Sequence, residues 1–143
     1  MSDQTPDKTF RNILAVIAGA VTGIIVYCIL AYIFFFIGLS AWPEKPTQEE
    51  AATFQSSGII GIILITIISS LVAGLVTSII AMGKKITVAA ITGFVLMLAW
   101  LLITNLKIYG TLDTVVILIL IPSAILGGWL HVNYKKKKAA SNS

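Results

Sequence analysis

Few side chains in this sequence could make or break a bond, and those few stand far apart. The only cysteine is Cys28 and the only histidine is His131. A thiol paired with an imidazole would be a nucleophile, but Cys28 lies near the middle of one apolar run and His131 at the end of another. No carboxylate stands close to His131 in sequence, and one His with one Cys falls short of the three or four ligands of a zinc site. No phosphate-binding glycine loop or lipidation motif is present. The expectation is a chain with no catalytic residue, no metal site and no cofactor, in which His131 is an interfacial side chain beside Trp129.

Small and hydroxyl-bearing residues do recur at a regular spacing. Thr66, Ser70, Gly74 and Ser78 stand at every fourth position, with Ser69, Ala73 and Thr77 in an adjacent row. On a helix such a face lets two backbones approach closely and adds interhelical hydrogen bonds of about 0.6 kcal/mol each. Other runs carry shorter versions: Ala15, Gly19 and Gly23; Ala89 and Gly93; Ser123, Gly127 and Gly128. Pro122 removes a backbone donor and can kink its helix, with Ser123 placed to satisfy the freed carbonyl. Two readings stand side by side: close packing of helices, or the lining of a water-filled path between copies of the chain.

The elements that must position these residues are four stretches free of Asp, Glu, Lys and Arg, at 13–39, 58–82, 86–106 and 114–132. A helix crossing a bilayer core of about 30 Å needs about 20 apolar residues, and each stretch is close to that or longer. With 57% of its 143 residues hydrophobic and 11% charged, the chain is far from the roughly 25% charge of a soluble domain. It reads as all-α: one polytopic transmembrane domain, 1–134, built as a four-helix bundle, then a basic tail, 135–143, whose last residues from 139 are expected to lack regular structure. The first stretch exceeds the roughly 7–15 residues of a signal-peptide core. Its length calls for tilt, or for extension past the membrane around Phe34, Phe35 and Phe36.

Charge sets the expected orientation. Of the ten Lys and Arg residues, eight (Lys8, Arg11, Lys84, Lys85, Lys135, Lys136, Lys137 and Lys138) flank one side. Lys45 and Lys107 lie on the other, beside Glu44, Glu49, Glu50 and Asp113. The positive-inside rule then puts both termini in the cytoplasm, in a plasma membrane and by default a bacterial inner membrane. The net charge of +4 is in this view a topological signal, and no nucleic-acid partner is expected. The lysine run could also attract anionic lipid. Trp42 and Tyr109 fall at the outer boundary, Trp129 and Tyr134 at the inner one, and Trp100 faces either a neighbouring helix or lipid.

The connections carry their own signals. Pro43 ends the first helix, and Thr47-Gln48-Glu49-Glu50 is a capping box that starts a helix near Gln48, with a bend expected near Gly58. The 40–57 segment reads as a solvated connector or as a docking surface. Gly83, Lys84 and Lys85 form a tight hairpin connection. Gly110 is placed to end the third helix, Thr111 to cap the fourth, and Asp113 to favour its positive end. Residues 19–26 align with 89–96, and 69–76 with 123–130, so a duplicated two-helix hairpin about an axis along the membrane normal is a further expectation.

The absence of Asp, Glu, Lys and Arg from all four stretches argues against proton relays and voltage sensing. The expected role is a small non-catalytic integral membrane protein. It would act by helix association, with another membrane protein or with itself, as an accessory, assembly or immunity-type component of a membrane complex. The alternative is a homo-oligomeric channel or carrier for a small neutral or weakly polar solute.

Overall fold

The computed structural model describes residues 8–40, 44, 47–104 and 111–141, with the backbone alone at Thr111. Four helices follow one another: α1 (Lys8–Ser40), α2 (Gln48–Ile80), α3 (Lys85–Ile103) and α4 (Thr111–Ser141). All four are long and apolar enough to span a membrane. The 33 residues of α1 and of α2 make each about 50 Å long at 1.5 Å per residue. As the capping box predicts, α2 begins at Gln48 and takes in residues 48–57, and it runs through Gly58 as one helix.

Its start follows the capping chemistry. Thr47 is extended, its hydroxyl oxygen accepts the Glu50 N–H at 3.3 Å, and the Glu50 carboxylate accepts the Thr47 N–H at 2.8 Å. Pro43 and Gly110, assigned helix-ending roles from the sequence, lie outside the described residues, as do Trp42 and Tyr109. Thr111 is the first residue of α4, one position beyond a cap, and Asp113 sits in its first turn. The third helix ends at Ile103, short of 106.

The tail differs from expectation. Instead of ending near Val132, α4 continues through Lys135, Lys136, Lys137 and Lys138 to Ser141. Lysine and alanine are good helix formers, and cations in the last turns favour the negative end of the helix dipole.

Helix α2 is the centre of the bundle. Its interfaces with α1 and α4 are the most extensive, α3 touches all three other helices, and α1 and α4 do not touch among the described residues. A two-fold axis relating the α1–α2 hairpin to the α3–α4 hairpin would exchange the α2–α3 contact with an α1–α4 contact. Only the first of these exists, so the packing is not two-fold symmetric. The interior is made of small residues, Ala15, Ala20, Ala73, Ala89 and Ala124 among them, with Val116 and Leu120 as larger members. Large apolar side chains such as Ile24, Leu64, Ile91 and Leu118 point outward. In lipid no hydrophobic force drives helices together, so close backbone approach has to.

Candidate functional site

Thr66, Ser69, Ser70, Ala73, Gly74, Thr77 and Ser78 are all buried, so the structure turns both sequence-predicted rows of α2 into the chain's own interior. Each row has a different neighbour. A Cβ built on Gly19 of α1 would strike the Thr77 hydroxyl, and one on Gly23 would lie 2.8 Å from the Ala73 Cβ. On the opposite side Gly74 lies against the Ala124 carbonyl of α4, and Gly127 against the Leu71 carbonyl. Gly93 and Gly128 complete the pattern between α3 and α4, against Ala124 and Ala89. Five of these six sequence-chosen glycines thus leave no room for a Cβ unless a neighbour shifts, and at Gly93 the neighbours, 3.0 Å away, would have to give slightly.

The hydroxyls divide into two sets. Thr66, Ser69 and Ser78 donate to carbonyls of their own helix, at Ile62, Thr66 and Leu75. Ser70 and Thr77 reach across: Ser70 donates to the Leu120 carbonyl of α4 at 2.6 Å, and the Thr77 and Thr92 hydroxyls meet at 2.8 Å between α2 and α3. Thr77 also bonds the Ala73 carbonyl at 2.8 Å, whereas Thr92 is 3.2 Å from Val88. The shorter pair of distances fits a relay in which Thr92 donates to Thr77 and Thr77 to Ala73. Pro122 lies inside α4 and leaves the Leu118 carbonyl without its helical donor. The expected bond from Ser123 to that carbonyl is not formed; the hydroxyl at this level is Ser70, and it takes Leu120 instead.

Thr92 and Ala124 went unnoticed as site residues in the sequence. Thr92 had a signal, standing beside Gly93 on the same short helix; Ala124 had none beyond its neighbours Ser123 and Gly127. Trp100 faces a helix, its ring edge-on to Tyr27 with centroids 5.9 Å apart. Cys28 is exposed on α1 and His131 lies on α4, two helices that do not touch, so no Cys–His pair exists. Among the described residues no three His, Cys, Asp or Glu side chains gather in one place.

Two further regions frame this interior. At the end of the bundle where α2 begins, Phe34 of α1 covers Gly61 of α2, and Phe54 of α2 lies on Gly38 of α1. These rings border an apolar groove of about 650 Å³ together with Tyr27, Phe35 and Ile62. At the opposite end Arg11 donates from Nε to the Ile80 carbonyl at 3.1 Å, and the Asn12 side-chain oxygen accepts the Met82 N–H at 2.9 Å. The first turns of α1 thereby satisfy groups that the end of α2 leaves open. Lys84, Lys85 and Lys135 to Lys138 lie at this same end.

No family model, curated protein or solved structure matches the chain.

Proposed function

We propose that this chain is a small non-catalytic integral membrane protein that works by helix association, as an accessory, assembly or immunity-type component of a membrane complex. The observation that carries this reading is the burial of both α2 rows inside a single chain. Their hydroxyls are spent on nearby carbonyls and, at Thr77, also on Thr92 of α3, and Gly74 is spent on contact with the Ala124 backbone. This supports packing over a solute path, because a path between copies around α2 would need the hydroxyl face turned away from its own chain. The outward face of α2 is instead Ile60, Leu64, Ile68 and Ile79.

The outer half of α1, residues 24–40, contains no buried residue, which leaves it open to a helix of another protein. The same reading keeps both termini in the cytoplasm of a plasma membrane, a bacterial inner membrane by default. It is supported by the gathering of Arg11, Lys84, Lys85 and the Lys135–Lys138 run at the end of the bundle opposite Glu49, Glu50 and Asp113.

The test is to solubilise the full chain from its native membrane in a mild detergent or nanodisc and weigh the intact assembly. A stoichiometric second membrane protein is expected. A bare homo-oligomer would overturn the accessory role and direct attention to flux through the assembly.

A further inference from the structure

We propose, on the accessory reading above, that the groove between α1 and α2 at the end where α2 begins receives an apolar helix of a second membrane protein, one that ends in Lys or Arg. The α1–α2 hairpin reaches well beyond the other two helices. Thr77 of α2 meets Thr92 of α3, and Gly74 meets Ala124 of α4. Eleven residues beyond Thr92, Ile103 ends α3 level with Thr66; thirteen before Ala124, Thr111 opens α4 level with Gly61. Residues 48–60 of α2 thus stand past both ends, about 20 Å of helix at 1.5 Å per residue.

The bilayer core fits the shorter pair of helices. Levelled against α2 in the same way, Lys85 and Asp113 lie about 30 Å apart along the bundle, the depth of a hydrocarbon core. Tilting the bundle far enough to immerse the hairpin tip would draw Asp113 into that core. Phe34 covers Gly61 at the level of the boundary. Past it Phe35, Phe36, Ile37 and Leu39 are each more than half exposed, an apolar surface outside hydrocarbon that calls for a cover.

The walls of the groove define the occupant. Its volume of about 650 Å³ lies between Tyr27, Phe34 and Leu39 of α1 and Phe54, Gly58 and Ile62 of α2. Tyr27, beside Trp100 of α3, lies within the depth of the core, Phe34 and Ile62 at its boundary, and Leu39, Phe54 and Gly58 beyond it. The occupant is therefore apolar along its length and runs out of the membrane, as a helix laid in a groove does. On α2 the row Ile62, Gly58, Phe54 continues at the same spacing to Glu50. The Glu50 Oε2 accepts both the Thr47 N–H and the Thr47 hydroxyl, which favours the charged carboxylate; Oε1 has no donor among the described residues. Counting Lys45, the 44–50 stretch carries a net charge of −2, and the basic cluster of Arg11, Lys84 and Lys85 lies at the opposite end of the bundle. A cation closing the apolar helix answers Glu50 with a charge-assisted bond. A second copy of this chain would bring the same carboxylates to the same mouth, and a lipid chain would leave Glu50 unanswered.

The full-length protein in phosphatidylcholine nanodiscs is titrated with two synthetic helices under native mass measurement. Each has about 28 leucines and alanines, enough for the core and two turns beyond it; one ends in two lysines and the other in two glutamates. The lysine peptide should be retained about fivefold more than the glutamate peptide, the scale of one partly exposed ion pair. Glu50→Gln should erase that preference while keeping the capping box, which accepts either residue. Gly58→Leu should cut retention of the lysine peptide about tenfold or more, because nothing lies within 4 Å of a Cβ at Gly58 and the larger side chain has the groove to fill.

Equal retention of the two peptides, a preference that survives Glu50→Gln, or undiminished retention by Gly58→Leu overturns the proposal, and so does a dimer of the chain that Gly58→Leu dissociates. Ala31→Leu, on the facing wall, serves if Gly58→Leu does not fold. The same variant separates the groove from the role it rests on. When the native assembly holds a second protein, loss of that protein in Gly58→Leu supports the groove, and its persistence overturns the groove alone. A native assembly without a second protein overturns the accessory role itself.

Discussion

The hydroxyls of Thr77 and Thr92 lie 2.8 Å apart between α2 and α3, at the level where Gly19 of α1 rests on the same Thr77. Three helices meet at this one bond. In a double-mutant cycle of Thr77→Val and Thr92→Val, measured by unfolding in mixed micelles, the expected coupling is about 0.6 kcal/mol, the average for interhelical hydrogen bonds in membranes. Ser78→Ala paired with Thr92→Val should show none, since Ser78 bonds only its own helix at Leu75. A vanishing Thr77–Thr92 coupling would mean that the Ala73 and Val88 carbonyls fully replace the lost partner.

Glycines of equal appearance in the sequence should respond in opposite ways. A Cβ at Gly74 would collide with the Ala124 carbonyl oxygen and lie 2.7 Å from its carbon, whereas at Gly58 nothing lies within 4 Å. Gly74→Ala must push α4 away from α2 and should lose about 2–3 kcal/mol, the upper range for overpacking. Gly58→Ala should be neutral or gain up to about 1 kcal/mol of helix propensity. Unfolding midpoints of the two variants side by side decide the matter; equal losses would contradict the close α2–α4 approach.

What could be read from the sequence, and what could not, follows from the range of each interaction. The capping box at Thr47 and Glu50 was legible because both partners lie within four residues. The α2 stripe was legible as a face because helical periodicity needs no partner. Which helix each row would meet was not, since Gly19, Ala124 and Thr92 come from three other helices and no local pattern pairs them with Thr77 or Gly74. The continuation of α4 through Lys135–Lys138 was missed because a charged run reads as solvated, and solvation does not prevent a lysine-rich helix. The similarity of residues 19–26 to 89–96 did find two glycines with matching jobs, Gly23 against α2 and Gly93 against α4. It did not foresee that α2 would touch α3 while α1 and α4 stay apart among the described residues.

The start of α2 carries a pH response whose sign is fixed by its hydrogen bonds. The Thr47 N–H and hydroxyl hold the Glu50 carboxyl below the ordinary glutamate value. A carboxylate lowered on folding contributes stability that is complete above the ordinary value, about 4.5, and fades as pH falls through the lowered one. Amides in the first turn, such as Ala51, whose N–H bonds the Thr47 carbonyl at 3.0 Å, should lose exchange protection below that pH. Glu50→Gln should flatten the response. An unchanged pH profile in that variant would assign the response to another group.

The turn between α2 and α3 depends on one residue with an unusual backbone. Gly83 has φ +86°, a region that side chains disfavour, and nothing lies within 4 Å of where its Cβ would be. The cost of Gly83→Ala is therefore conformational strain alone, about 1–2 kcal/mol, and Gly83→Asn should cost less because asparagine tolerates positive φ. This turn also sets the direction in which Lys84 and Lys85 leave α2. Unfolding midpoints of the alanine and asparagine variants side by side check the strain; equal losses in the two would contradict the positive φ at Gly83.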